Sequence, residues 1–323
     1  MKTKRLQLGI LVVLIATIAG LIWKQQALLD WWRLRGYTAP VSVAQLATDD
    51  MFTPTARHLL YVNRPEITNG KDFTNNCPAG SEKTVVLGCY VGRDNGIFVY
   101  QVSDPRLNGV EQVTAAHEML HAAYRRLSSH ERSKVDAMLM DYYQHDLTDQ
   151  RIKDTIDAYK KSEPNDVVNE MHSVFGTEVA MLPSGLEQYY QRYFTDRSRV
   201  AAFTASYQGE FTNRQVEVAA YDTQLASMKK QIETNQTTLT SQKAALDAQS
   251  QQLQSLRSSG QIGAYNSGVP AYNQAVDAYN GLLNTTRSLI NQYNDIIAKR
   301  NAVVLEEQQL AKELSANSLP ASN

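Results

Sequence analysis

Residues 114–127 read TAAHEMLHAAYRRL, and the apolar period around this stretch decides how the middle of the chain folds. Val110, Val113, His117, Leu120, Tyr124 and Leu127 recur at three and four residues, the spacing of one helix face. On such a helix His117 and His121 stand one turn apart on the same side, so both imidazoles can reach a single ion. Glu118 emerges beside them, placed to take a proton from a water that the ion activates. The pattern points to Zn2+, which at a catalytic site takes three protein ligands and keeps one position open. Downstream side chains able to supply the third ligand are His130, His145, Glu163, Glu170, His172 and Glu178.

Upstream of this helix the pattern is β-type. Residues 58–62, 84–91 and 97–102 are rich in β-branched and aromatic side chains. Gly92-Arg93-Asp94-Asn95-Gly96 separates the last two, and its Asn-Gly step suits a tight hairpin turn. Downstream, Ser128 and Glu131 form a capping-box pattern opening another helix. Further helices are expected near 149–162 and 166–181. A small antiparallel sheet followed by a run of helices indicates an α+β domain over about residues 51–200.

Asn169-Glu170-Met171-His172-Ser173-Val174-Phe175-Gly176-Thr177 resembles the NExxSxxFGT stretch of the thermolysin-like zinc metallopeptidases of the gluzincin clan. The resemblance implies a zincin-like domain with His117 and His121 as ligands, Glu118 as general base and Glu170 as third ligand; His172 and Glu178 stand as alternatives to Glu170. It also implies a peptide or protein substrate, and makes 97–102 an edge strand able to pair with it. The chain departs from the family at Val174, where an Asp orients a ligand histidine. Asp136, Asp141 and Glu178 are the candidates to replace that support. For stabilising developing oxyanion charge, His145, His172, Tyr142, Tyr143, Tyr189, Tyr190 and Tyr193 are eligible by side chain.

The flanks are of different character. Residues 6–23 form 18 consecutive uncharged positions behind Lys2, Lys4 and Arg5, long enough to cross a hydrocarbon core of about 30 Å. A retained single-pass anchor over 1–24 is expected, with a cytoplasmic N-terminus, a linker over 25–50 and an extracytoplasmic body. The alternative is a cleaved signal peptide, disfavoured by the Ile22-Trp23-Lys24-Gln25 ending. Cys77 and Cys89, the chain's two cysteines, flank a turn-rich loop and can pair in an oxidising compartment.

Beyond residue 201 the chain turns rich in Gln, Asn, Ser, Thr and Ala. Phe211, Val218, Leu225, Ile232, Leu239, Leu246 and Leu253 are spaced by seven, and Tyr272, Val276, Tyr279, Leu283, Ile290, Tyr293, Ile297 and Val304 by fours, threes and sevens. An antiparallel coiled-coil hairpin over 201–316 is expected, with a loop at 258–270 and a disordered tail over 317–323. A coiled coil with another chain, or self-association through 205–316, would use the same seam. Lys and Arg number 32 against 33 Asp and Glu, which excludes a basic nucleic-acid binder. Two classes of function follow: an envelope metallopeptidase, or a structural or adaptor protein acting through its coiled coil.

Overall fold

The computed structural model describes residues 25–77, 87–92 and 96–314. The described residues are mostly helical with one small three-stranded sheet, an α+β architecture. They divide into a unit of the described residues up to 209 with 310–314, and a second unit of residues 210–309.

In the first unit, after a helical stretch at 25–34, the order is α1 (Val41–Asp49), α2 (Pro54–Val62), β1 (Glu66–Thr68), α3 (Gly70–Asn76), β2 (Gly88–Val91) and β3 (Gly96–Tyr100). Then follow α4 (Val110–Arg125), α5 (Ser129–Asp141), α6 (Gln150–Ser162), α7 (Val167–Glu178) and α8 (Ser184–Tyr190). Helix α1 lies in the stretch expected as a linker, yet it buries Val43, Leu46 and Ala47 in the core. The helix expected from Val110 is α4, and it is buried around most of its circumference. At α5 the capping box forms: Ser128 Oγ accepts from the Glu131 N–H at 3.3 Å, and the Ser128 N–H donates to Glu131 Oε2 at 3.2 Å. Asp149 caps α6 by accepting from the N–H groups of Arg151 and Ile152.

Two strand expectations are corrected. Residues 58–62 are helical, within α2, where Thr53 Oγ1 accepts from the Ala56 N–H and Pro54 occupies the first turn. A five-residue apolar run does not distinguish strand from buried helix by period, and the cap decides it. The sheet is mixed rather than antiparallel: β1, which no pattern announced, pairs parallel to β3, and β2 pairs antiparallel on its other side. The order β1-β3-β2 makes β3 central, so 97–102 is not an edge; β2 is. The turn expected at 93–95 lies outside the described residues.

Among the described residues no helix is long and apolar enough to cross a membrane, which corrects the expected single-pass placement with an extracytoplasmic body. The 6–23 run that suggested it lies outside the described residues. The helical stretch that follows is polar where it meets the body: Asp30 pairs with Arg126 at 2.7 Å and with His58 at 2.9 Å.

The second unit comprises the facing parts of two long helices, α9 (Ser198–Ser258) and α10 (Ile262–Glu313). They run antiparallel, since partners rise along one arm as they fall along the other. Gln215 Nε2 donates to Glu307 at 3.1 Å, Arg300 Nε to Asp222 at 2.9 Å, and Leu253 faces Gly268. The heptad positions Val218, Leu225, Ile232, Leu239, Leu246 and Leu253 are half-buried or buried on α9, as are Tyr221, Met228, Asn235, Gln242 and Leu256. The connection is shorter than expected. Gly260, at φ +76°, ends α9: the Gln261 N–H reaches the Leu256 carbonyl at 2.9 Å and the Gly260 N–H the Arg257 carbonyl at 3.2 Å. This double bond pattern closes the last turn, so α10 starts at Ile262 and carries Pro270 inside it.

Candidate metal centre

Helix α4 supplies His117, Glu118 and His121; helix α7 supplies Glu170. The two helices approach closely because residue 176 is glycine. A Cβ there would lie 2.5 Å from Leu120 Cδ1 and 2.8 Å from Tyr190 Cε1. With the helices this near, the Glu170 carboxylate reaches across to both imidazoles. Its Oε2 is 3.5 Å from His117 Nε2 and its Oε1 is 3.4 Å from His121 Nε2.

Those separations are longer than a good N–H···O hydrogen bond. One ligand atom from each of the three side chains lies within 4.8 Å of the others. The three side chains are 15%, 10% and 7% exposed, so the nitrogens and carboxylate oxygens converge in a largely dehydrated space. His117, His121 and Glu170 thus form a group able to hold a metal ion. Burial pushes the Glu170 carboxyl up, but His121 and His117 together with a hydrogen bond from Tyr159 outweigh it and hold the group below its ordinary value.

Glu118 is buried beside this group. Burial is the main cause that raises its carboxyl to about 7, with Glu170 adding to the rise and His121 and the Tyr90 backbone N–H opposing it. The Tyr90 bond comes from the outward-facing side of β2. Tyr90 stands opposite Ile97 on the sheet, while the Tyr100 N–H bonds the Leu87 carbonyl. In that alternation Tyr90 and Gly88 turn their peptide groups away from β3.

The group opens into a cavity of about 570 Å³ walled by β2, α4, α6 and α7, with Arg125, Arg151, Tyr159, Glu163, Asp166 and Tyr207 among its lining residues. Glu163 and Asp166 add carboxylates close to Glu170. The Cys77–Cys89 disulfide forms, with Cα atoms 5.9 Å apart, and both cysteines lie at the cavity wall.

The other expected residues are placed elsewhere. His172 is fully buried, with Nε2 2.9 Å from the Tyr189 hydroxyl, and is not part of the converging group. Burial, then the nearby His121 and His117, push it down to about 3, so it is neutral. Glu178 lines the cavity but is engaged by Arg151 at 2.5 Å. Asp136 accepts from the Tyr124 hydroxyl at 2.7 Å, and Asp141 lies 3.1 Å from His145. No orienting carboxylate for either ligand histidine is found among the described residues, and His121 Nδ1 is buried without a partner there.

Of the expected oxyanion candidates none lines the cavity; Tyr189, Tyr190 and Tyr193 pack around His172 instead. Tyr159 was missed. Its place on α6, seven residues after Ile152 and three after Ile156, gives it a helix-packing appearance that conceals its contact with Glu170. No family model matches the chain, and neither a curated protein nor a solved structure matches it.

Proposed function

We propose that this chain is a zinc metallopeptidase that hydrolyses peptide bonds. The observation that carries the reading is the convergence of His117, His121 and Glu170, with ligand atoms within 4.8 Å of one another and the buried Glu118 carboxyl alongside. Two imidazoles and one carboxylate are the donor set of a catalytic zinc with an open position, and the gluzincin resemblance assigns these residues the same roles. Zinc held there supplies a Lewis acid that polarises a carbonyl and lowers the pKa of water.

The chain's own residues supply the rest. Glu118, poised near neutrality, accepts a proton from the attacking water and returns it to the leaving amine. Tyr159, at the cavity wall, donates its hydroxyl hydrogen to the Glu170 carboxylate and fixes it. The outward peptide groups of Gly88 and Tyr90 on edge strand β2 offer an extended peptide main-chain partners, with Glu118 bonded to the same edge.

The test is metal content and turnover of the purified full chain. About one zinc per chain and cleavage of a protein substrate are expected, with Glu118→Gln inactive but still metal-loaded. Wild-type protein that binds no zinc from a zinc-containing, chelator-free buffer would reject the reading. A second reading, a structural or adaptor role for the coiled coil, draws on the hairpin's forming a unit of its own over residues 210–309. Loss of the cellular phenotype on trimming the hairpin, with peptidase activity intact, would favour it.

A further inference from the structure

The cavity holds two guanidinium groups in different states. Arg151 is neutralised by Glu178 at 2.5 Å. Arg125, one turn beyond His121 on α4, is exposed and makes no ion pair among the described residues. It is nonetheless held in place. Its guanidinium carbon lies 5.3 Å from the centre of the Tyr90 ring, and its Nη1 sits against Gly92, where a Cβ would fall only 2.1 Å away. A cation seated on an aromatic face and a strand end has little conformational freedom left to lose when a carboxylate binds it.

The direction of β2 places this cation relative to the reacting bond. The strand begins with Gly88 against Glu118 and Thr114, and Gly92, the residue after its last, lies against Arg125. An extended peptide adding antiparallel to β2, the more stable pairing, passes Arg125 first and the Glu118 end afterwards. Resting on the peptidase reading of this site, we propose that Arg125 is a specificity-determining residue that binds an acidic side chain on the substrate, N-terminal to the scissile bond. The preferred substrates are then peptides with Asp or Glu within a few residues before the cleaved bond.

The experiment uses the zinc-loaded full chain and a mixed-sequence decapeptide pool to find one cleaved peptide. Variants of that peptide carrying Glu, Gln or Lys at each of the three positions before and after the cut are then compared by kcat/KM. Wild type is expected to favour Glu over Gln by about three- to tenfold at a position before the cut, the range of a partly exposed ion pair. Arg125→Gln should bring that ratio to about one, Arg125→Lys should keep part of it, and Arg125→Glu should favour Lys in its place. A wild-type ratio near one, a ratio unchanged in Arg125→Gln, or a preference confined to positions after the cut would overturn the proposal. Fluorescence anisotropy of labelled Glu- and Gln-containing pool peptides on zinc-loaded Glu118→Gln separates the two claims. If wild type cleaves nothing, the peptidase reading fails. The Arg125 subsite then stands only if acidic peptides bind more tightly and Arg125→Gln removes the difference.

Discussion

The backbone N–H of Tyr90 donates to the carboxylate of Glu118, tying edge strand β2 to the helix that carries both histidines. One contact therefore links the surface where a peptide can pair to the group that moves the proton. Substitution of Gly88 tests this link. A Cβ there would fall 2.4 Å from Thr114 Cγ2 and 2.9 Å from Glu118 Oε1, so Gly88→Ala must push β2 off α4. A loss of about 1–3 kcal/mol in stability is expected from denaturant unfolding, with a larger proportional loss in turnover than in zinc content.

Zinc should stabilise the fold through His117, His121 and Glu170. A ligand that binds only the native state at a hundredfold excess over its Kd adds about 2.7 kcal/mol. Thermal scans of wild type should rise with added zinc and fall with a chelator. Glu170→Ala, which removes one arm of the group, should show neither shift.

Tyr159 is expected to matter through the Glu170 carboxylate, which accepts its one hydroxyl hydrogen. Tyr159→Phe keeps the ring and removes only the hydroxyl. Loss of a hydrogen-bond partner of a metal ligand costs about 10–100-fold in metal affinity or activity. Zinc titration and steady-state kinetics should both show the loss; unaltered zinc affinity and kcat would exclude the role.

Asp30 and Asp50 should give opposite pH signatures. Asp30 is nearly buried under Arg126 and His58; burial raises its carboxyl, but the Arg126, His58 and Gln26 hydrogen bonds outweigh it and leave it below the ordinary value. Its stabilisation is present above the unfolded pKa and lost as pH falls through the lower folded value. Asp30→Asn should destabilise by about 2–3 kcal/mol at pH 7, and the difference should shrink in acid.

Asp50 is fully buried, and neither of its carboxylate oxygens has a partner among the described residues. Burial, with the neighbouring Asp49 charge, pushes it well above the ordinary value. A raised carboxyl is neutral in both states below the unfolded pKa, and it destabilises the fold progressively as pH rises from there to the folded value. Asp50→Asn should therefore raise Tm at pH 7. The advantage should vanish below about pH 4, having grown by about 1.4 kcal/mol per pH unit above it.

The local periodicities were legible in the chain itself. The three-and-four spacing around residues 114–127 placed His117, Glu118 and His121 on one helix, the Ser128–Glu131 pattern opened the next, and the heptads from 211 to 304 marked the paired arms. These signals are local because a helix repeats within four residues and its cap lies within three. Long-range pairing is not written in that form. Only the tertiary structure inserted the unannounced β1 beside β3 and turned β2 into the edge over Glu118. It also brought Tyr159 to Glu170 and left Arg125 without a carboxylate partner among the described residues. Glu170 is the case between: its stretch nominated it, but the close approach allowed at Gly176 carried it to the two histidines.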